Sequence, residues 1–401
     1  MYGTNRRFIT HLDLDTFFVS VERLKNSKFV GIPLIVGGLG DRGVVASCSY
    51  EARKFGVHSA MPMKLARRLC PHATVVHGDM ERYSNYSRQV AEVIRGQVPV
   101  MEKASIDEFY LDLTGMDRFF GCSKFVAELK AKVKKETGLP ISYALASNKL
   151  VSKVGTDDAK PDGQAEIEFG GEKGYLAPKP IERMPGIGQK TSVLLRSMGV
   201  RTIKVLSEIP PPMMQTLLGK NGVELSRRAN GIDDTPVVPY SEQKSISTEE
   251  TFGQDTIDIS FLRGELVKMT ESVAFQLRQQ GKLCGCVTVK LRYANFDTVS
   301  KQLVIPYTAS DDILLAKAQE LFHKLYEKRM LVRLLGIRVS HLVHGQQQID
   351  LFDDTVESVR LYQAMDLIRN RYGESAVRRA VSAPLPSVTK THDAAQLQNM
   401  V

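Results

Sequence analysis

Two adjacent carboxylates in a strand-like run constrain the fold more than any other feature of this 401-residue chain. Asp107 and Glu108 stand near the start of residues 105–113, whose apolar side chains are arranged as in a β-strand. Asp13 lies in a second strand-like run, residues 8–15. Because a carboxylate buried in an apolar strand needs a partner, we expect the two runs to lie side by side and bring the three carboxylates together.

These carboxylates suit a pair of divalent metal ions. Hard oxygen ligands hold Mg²⁺ in phosphoryl transfer, where one ion activates the attacking hydroxyl and the other neutralises the leaving group. Adjacent side chains of a regular strand point to opposite faces, so Asp107 and Glu108 reach one site only at a strand end or a bend, which residues 103–105 allow. Asp13 would bridge the ions, and the backbone carbonyl of Leu14 would add a ligand. The alternative is an Asp-Glu pair that caps a helix or faces solvent.

The composition favours a folded, multidomain protein. With 43% hydrophobic residues, the chain has enough apolar material for two to four domains. We find no apolar run of membrane-spanning length and no signal-peptide core near the start, so we expect a cytoplasmic protein without a membrane partner. The five cysteines lack metal-binding spacing and are interpreted as reduced thiols. The net charge of +9 fits a polyanionic partner or a generic basic surface equally well.

The patterning changes along the chain. Residues 1–170 alternate between strands and helices, which predicts an α+β domain with helices on one face of a sheet. Glycines and prolines at 170–180 mark a boundary, and short helices with tight turns follow over 181–235. A second α+β domain is predicted from residue 244. A further helix ends at Gly373, and residues 381–401 are predicted to be disordered.

Several residues are candidates for binding a nucleotide. Tyr50 and Arg53 are three residues apart, so they share a helix face from which both side chains can donate to one phosphate. Lys160 lies in a turn and would add a point charge. Surface charges near turns are the alternative for each. Phe18 either packs in a core or lies against a nucleotide sugar and excludes its 2′-hydroxyl, and spacing alone does not decide between them.

Two further motifs indicate interaction with large partners. Residues 184–191, with Gly186, Ile187, Gly188 and Lys190, have the signature of a helix-hairpin-helix, whose backbone N–H groups approach a DNA phosphate. An ordinary helical hairpin is the alternative. Residues 348–352 place an apolar triplet in a polar stretch, and such a triplet either enters a partner's pocket or packs on its own domain.

Together the motifs resemble the Y-family translesion DNA polymerases, most closely the DinB branch. The resemblance covers residues 8–345, and the matching segments occur in the family order. The segments are 13–18, 49–57, 104–113, 147–149, 159–163 and the helix-hairpin-helix.

The resemblance implies an α+β multidomain fold shaped like a right hand. The implied domains are a palm (1–17 and 79–170), small fingers (18–78), a helical thumb with the helix-hairpin-helix (171–235), a linker (236–243), an α+β little finger (244–345) and a tail (346–401). The tail helix at 355–373 is similar to a segment more typical of the UmuC-like branch.

The resemblance also implies roles for residues. The metal ligands would be Asp13, Asp107 and Glu108, holding two Mg²⁺ ions, and Phe18 would exclude ribonucleotides. The dNTP would be bound by Ser47, Tyr50, Arg53 and Lys160. The segment with Gln348, Ile349, Leu351 and Phe352 is similar to the motif by which bacterial polymerases dock on the sliding clamp.

The implied activity is low-fidelity, template-directed DNA synthesis past damaged bases, by a monomer without proofreading. Its partners would be primer-template DNA, dNTPs and the clamp. Two alternatives compete with this activity. A palm-fold nucleotidyl cyclase would use similar carboxylates but needs no helix-hairpin-helix. A non-catalytic, clamp-bound scaffold would be expected to have lost carboxylates, whereas all three are present.

Overall fold

The computed structural model describes residues 6–118, 121–326, 330–345 and 355–382. The chain divides into two compact units, Met1–Ser241 and Glu242–Val401. We describe each unit by itself.

The first unit contains two sheets and a set of helices. Its strands are β1 (Ile9–Leu14), β2 (Leu34–Gly37), β3 (Val45–Cys48), β4 (Thr74–Val76), β5 (Val100–Lys103), β6 (Glu108–Asp112), β7 (Ile141–Ala146) and β8 (Gln164–Glu166). Its helices are α1 (Phe17–Lys25), α2 (Tyr50–Arg53), α3 (Met63–Leu69), α4 (Met80–Arg95), α5 (Cys122–Thr137), α6 (Lys149–Ala159), α7 (Glu172–Leu176), α8 (Gln189–Ser197), α9 (Ile203–Glu208), α10 (Pro211–Leu218) and α11 (Lys220–Ala229).

The larger sheet has the strand order β5-β6-β1-β7-β8, so β1 lies in its middle. Every residue of β1 and β7 is buried, because helices cover both faces of the sheet. Tyr143 and Leu145 of β7 join the core formed with α4 and α5, whereas Ala144 and Ala146 join the core formed with α6. The prediction of helices on one face is therefore wrong for this sheet.

The smaller sheet, in the order β3-β2-β4, has a core of its own. Ile35 of β2 and Val45 of β3 pack there against Ala52 of α2 and Met63 of α3. Ser49 caps α2 by accepting the backbone N–H of Ala52. The cap fixes where this short helix begins, immediately before Tyr50.

Short helices follow the large sheet in the chain. Apolar side chains of α8, α9 and α11 continue the core beneath α6, including Leu195, Ile203 and Leu225. Met184 and Ile187 from the loop before α8 are buried with them. Helices this short are stable only because they bury apolar side chains in a common core.

The second unit is an antiparallel sheet covered by helices. Its strands are β9 (Ser245–Thr256), β10 (Lys282–Tyr293), β11 (Thr298–Thr308) and β12 (Val332–His344), in the order β11-β10-β12-β9. Its helices are α12 (Ile259–Gln279), α13 (Asp311–Leu325) and α14 (Thr355–Tyr372). Both α12 and α13 contribute to one core with the sheet.

Helix α14 attaches to this unit through polar groups. The Arg278 guanidinium forks onto the Asp366 carboxylate at 2.7 and 2.9 Å and reaches Asp311 at 2.5 Å. Tyr362 and Arg369 are buried on the same side of the helix. Removing one member of such a buried network leaves an uncompensated charge, so each of these contacts contributes to holding α14 in place.

The five cysteines are free and buried, as the interpretation as reduced thiols requires. Across the ranges given above, no helix is both long and apolar enough to cross a membrane.

Candidate active site

The strand register brings the predicted carboxylates to one end of the larger sheet. Asp13 on β1 lies opposite Glu108 on β6 and opposite Ser142 on β7. The backbone N–H of Leu14 donates to the carbonyl of Asp107 at 3.0 Å, which extends the pairing by one residue. Directly opposed side chains project from the same face of a sheet. Asp13 and Glu108 therefore share the face that α6 covers.

Asp107 and Glu108 lie at the bend between β5 and β6. The Ser105 hydroxyl donates to the Asp107 carboxylate at 2.6 Å and accepts the N–H groups of Asp107 and Glu108 at 3.2 and 3.0 Å. This serine holds both carboxylates in position. The strand begins at Glu108, and not at residue 105 as predicted, because Ser105 turns the chain.

Two lysines of the α6 region pair with the carboxylates. Lys160 Nζ lies 2.6 Å from Asp13 Oδ2, and Lys153 Nζ lies 2.5 Å from Glu108 Oε1. Burial raises the pKa of Asp13 to about 7, although Lys160 acts in the opposite direction. Burial alone would lower the pKa of Lys160, but the Asp13 carboxylate raises it above its ordinary value. The site is thus a carboxylate edge, buried at Asp13 and partly exposed at Asp107 and Glu108, that is paired with ammonium groups.

The side chains as they stand do not converge on a single point. Among the residues that the structure describes, no three His, Cys, Asp or Glu side chains form a group that could hold a metal ion. The donor chemistry nevertheless fits Mg²⁺, since three carboxylates line one edge and the nearest lysines already act as counter-cations. A metal ion would take over the charge compensation of Lys160 and Lys153.

His11 lies beneath the site on β1. Its Nε2 is 4.0 Å from Glu108 Oε2, its ring lies 4.7 Å from that of Tyr110, and the side chain is fully buried. Burial, with Lys153 and Lys160 nearby, keeps the pKa of His11 well below its ordinary value. The imidazole is therefore neutral and adds no positive charge to the edge.

Tyr50 and Arg53 are neighbours on α2, as their spacing predicts. The Arg53 guanidinium lies 5.0 Å from the centre of the Tyr50 ring. The Tyr50 hydroxyl donates to Asp15 Oδ1 at 3.3 Å, which connects the smaller sheet to the carboxylate edge. Burial and then the Asp15 charge raise the pKa of Tyr50, so its hydroxyl stays protonated. Ser47 lies on β3 opposite Val36 and is buried.

Phe18, at the start of α1, stacks on Tyr83 of α4. Their ring centres are 4.3 Å apart and the rings are 13° from parallel. Tyr83 is fully buried, and its hydroxyl donates to Glu22 at 2.8 Å. Phe18 itself is only partly buried, so one face of its ring rests on a rigid support while part of it remains accessible.

The predicted helix-hairpin-helix has an exposed turn. Gly186, Gly188 and Lys190 are exposed, whereas Ile187 is buried beneath them. Gly186 has φ +97°, a conformation that favours glycine, and a Cβ there would lie 3.3 Å from Arg228 Nη1. The Arg228 guanidinium also donates to the carbonyl of Pro185, which holds the turn against α11. The glycines of the turn and the first residues of α8 are therefore exposed to solvent.

Some neighbours of the site were missed by sequence reasoning. Lys153, Tyr83 and Asp15 contact predicted site residues, and Ser142 pairs with Asp13 in the sheet. Lys149 and Lys153 are four residues apart, a helical spacing that could have indicated a basic face toward the sheet. The other three required knowledge of which strands and helices meet. The predicted clamp segment with Gln348, Ile349, Leu351 and Phe352 lies outside the described residues.

Comparison with known proteins agrees with this architecture. Residues 12–157 match the impB/mucB/samB family, and residues 243–351 match the C-terminal domain of that family. A DNA polymerase IV of Dehalococcoides mccartyi is 37% identical over 93% of this chain and 96% of its own. One from Methanoculleus marisnigri is also 37% identical, over 87% and 99%.

A solved structure shows the same fold. A Y-family DNA polymerase chimera of Dbh and Dpo4 superposes with a TM-score of 0.78 at 25% identity, covering 84% of this chain and all of the other. The fold is accordingly the right hand with palm, fingers, thumb and little finger. On these grounds the chain belongs to the Y-family DNA polymerases, in the DNA polymerase IV group.

Proposed function

We propose that this polymerase extends primers past damaged template bases at the edge formed by Asp13, Asp107 and Glu108. The observation that carries the proposal is the alignment of Asp13 with Glu108 across β1 and β6, beside the Ser105 bend. The primer 3′-hydroxyl would lose its proton to solvent water, and its oxygen would attack the α-phosphorus of a dNTP. The bond to the β-phosphate oxygen would break, and pyrophosphate would leave with the electron pair.

The carboxylates would hold two Mg²⁺ ions, with the backbone carbonyl of Leu14 as a further ligand. When bound, these ions lower the pKa of the primer hydroxyl and neutralise the leaving phosphates. The protein's own contribution is orientation. The Ser105 bend holds Asp107 and Glu108. Lys160 Nζ, which lies 2.6 Å from Asp13 Oδ2, would leave Asp13 when the metal ions bind and pair with the triphosphate.

The remaining nucleotide contacts would come from α2, β3 and α1. Arg53, Tyr50 and Ser47 would meet the phosphates, since α2 is already joined to the edge through Asp15. Phe18 would lie against the deoxyribose, supported from behind by Tyr83. We further propose that synthesis is of low fidelity and without proofreading, by a monomer.

The activity is tested by primer extension with Mg²⁺ and dNTPs on an undamaged template and on a panel of defined lesions. We expect extension on the undamaged template and insertion opposite a subset of the lesions. Extension that stops before every lesion would contradict translesion synthesis. Failure on both templates would favour the non-catalytic scaffold, which predicts DNA binding alone.

DNA binding by the hairpin turn of the thumb is a separate prediction. Replacing Lys190 by alanine should weaken primer-template binding to the same degree for all sequences and reduce the slope of log K against log salt by about 1, because one phosphate contact is lost. Fluorescence anisotropy across a salt series measures both effects. Lys204→Ala on α9 removes an equal charge outside the turn and should keep the wild-type slope. Equal slopes for the two variants would contradict the assignment.

We also propose that the segment 348–352 docks on a sliding clamp. Its support is the apolar triplet Ile349, Leu351 and Phe352 in a polar stretch, which is costly to expose unless a pocket buries it.

Deleting 348–352 should abolish stimulation of primer extension by the clamp while leaving extension without the clamp unchanged. Measuring extension with and without added clamp separates the two effects. Unchanged stimulation would favour packing of the triplet on its own domain.

A further inference from the structure

We propose that Asp15 is a positioning residue that sets the two phosphate-binding groups Tyr50 and Lys160 relative to each other. This inference rests on the proposed function, since both groups are assigned to the triphosphate there. Asp15 is two residues from Asp13 in the same motif, yet its carboxylate would position other residues and would not bind metal.

Asp15 lies just beyond the end of the strand that carries Asp13. On a regular strand, residues two apart face the same side, but β1 ends at Leu14 and Thr16 takes a left-handed conformation with φ +43°. Asp15 is only 2% exposed. Its two oxygens accept hydrogen bonds from protein donors, which leaves the carboxylate poorly placed to act as a metal ligand.

The first partner of Asp15 is the turn after Lys160. The backbone N–H of Asp162 donates to Asp15 Oδ2 at 2.7 Å. The Ser142 hydroxyl donates to both Asp15 oxygens at 3.0 and 2.8 Å and accepts the N–H of Gly163 at 3.2 Å. Asp15 and Ser142 thus hold two successive N–H groups of this turn.

The opposite side of the turn is held by α5. Lys130 Nζ donates to the carbonyls of Asp162 and Gly163 at 2.6 and 3.1 Å, and Lys134 pairs with the Asp162 carboxylate at 2.6 Å. Gly163 has no room for a side chain, since a Cβ there would lie 1.8 Å from the carbonyl oxygen of Ala159. With the N–H groups and carbonyls of Asp162 and Gly163 all bonded, the turn presents Lys160 from a firmly held base.

The second partner of Asp15 is the Tyr50 hydroxyl, at 3.3 Å. Tyr50 comes from α2, beside the smaller sheet, whereas Lys160 follows α6. One carboxylate therefore joins the two elements that supply phosphate contacts. In the unliganded protein this bond holds the Tyr50 side chain in place, and its single hydroxyl proton would turn from Asp15 to the phosphate when a triphosphate binds. Such pre-organisation lowers the cost of ordering these groups.

The consequence is a specific effect on nucleotide binding. In Asp15→Asn, the amide oxygen can still accept the N–H of Asp162. The amide nitrogen, which can only donate, would then face the Tyr50 and Ser142 hydroxyls, both of which donate to Asp15 in the wild type. We expect the Kd for the incoming dNTP to rise about 10-fold, while the maximal rate of single-turnover extension changes less than about threefold.

The test measures dNTP binding to the enzyme on a dideoxy-terminated primer-template, and separately single-turnover extension on a normal primer. Asp234→Asn, an aspartate whose side chain is 81% exposed, is the matched control and should bind dNTP like wild type. Ser142→Ala should weaken binding in the same direction, which provides a second variant if Asp15→Asn folds poorly.

A double-mutant cycle with Tyr50→Phe decides whether Asp15 acts through Tyr50. We expect Tyr50→Phe to weaken dNTP binding less in the Asp15→Asn background than in wild type. Wild-type binding by both Asp15→Asn and Ser142→Ala, or fully multiplicative effects in the cycle, would overturn the proposal. Because the binding assay needs no turnover, weaker binding without any extension in wild type would reject the proposed catalysis and still support the role of Asp15.

Discussion

Asp107→Ala is expected to reduce the rate of primer extension by about 10³-fold, because it removes one of the three carboxylates proposed to hold the metal ions. Asp107 is held at the bend by the Ser105 hydroxyl at 2.6 Å, and its backbone carbonyl pairs with Leu14. Alanine keeps the backbone bond and loses only the carboxylate. Primer-template binding should therefore remain close to wild type.

The measurement is single-turnover extension with Mg²⁺, combined with anisotropy for DNA affinity. Asp112→Asn is the matched control, since Asp112 stands at the other end of β6, opposite Ile9. It should extend primers at nearly the wild-type rate. An Asp107→Ala enzyme that extends primers unimpaired would exclude Asp107 as a metal ligand, and a parallel loss in the control would indicate a folding defect of the strand.

Phe18→Ala is expected to raise the use of rNTP relative to dNTP by about 10²-fold, because it removes the ring that is proposed to occupy the space of a 2′-hydroxyl. Exclusion of the 2′-hydroxyl by the wild-type enzyme would require that the Phe18 ring cannot move aside. The 4.3 Å stack on Tyr83 provides that support, and the Tyr83 ring is itself held by its complete burial in the core.

The measurement compares kcat/KM for a matched rNTP and dNTP pair. Tyr83→Phe is the control, since it keeps the supporting ring and removes only the hydroxyl that donates to Glu22 at 2.8 Å. It should discriminate between the two sugars nearly as well as wild type. No gain in rNTP incorporation by Phe18→Ala would refute the role of this ring against the sugar.

Most elements of the fold could be predicted because their local patterns are strong. The run at 8–15 becomes β1, the helix before Gly373 becomes α14, and the glycine-rich turn at 184–191 leads into α8. The start of β6 was predicted three residues too early, since the hydrogen bonds that Ser105 makes to the N–H groups of Asp107 and Glu108 compete with strand pairing.

The placement of helices on the two faces of the larger sheet could not be predicted. The strands β1 and β7 are buried on both faces, and periodicity does not reveal which helix covers which face. That arrangement decides the electrostatics of the site, since α6 lies on the face of Asp13 and Glu108 and brings Lys153 and Lys160 to them.

The sequence by itself determined the chemistry available to this protein, because residue types and their spacing specify which oxygens and cations can meet. It identified Asp13, Asp107 and Glu108 as partners, and the register of β1 with β6 brings Asp13 opposite Glu108 beside the bend that holds Asp107. Only the tertiary structure separated Asp13 from Asp15. On a regular strand, residues two apart project from the same face. Here β1 ends between them, at Leu14, so Asp13 faces the lysines, whereas Asp15 holds the turn that follows Lys160.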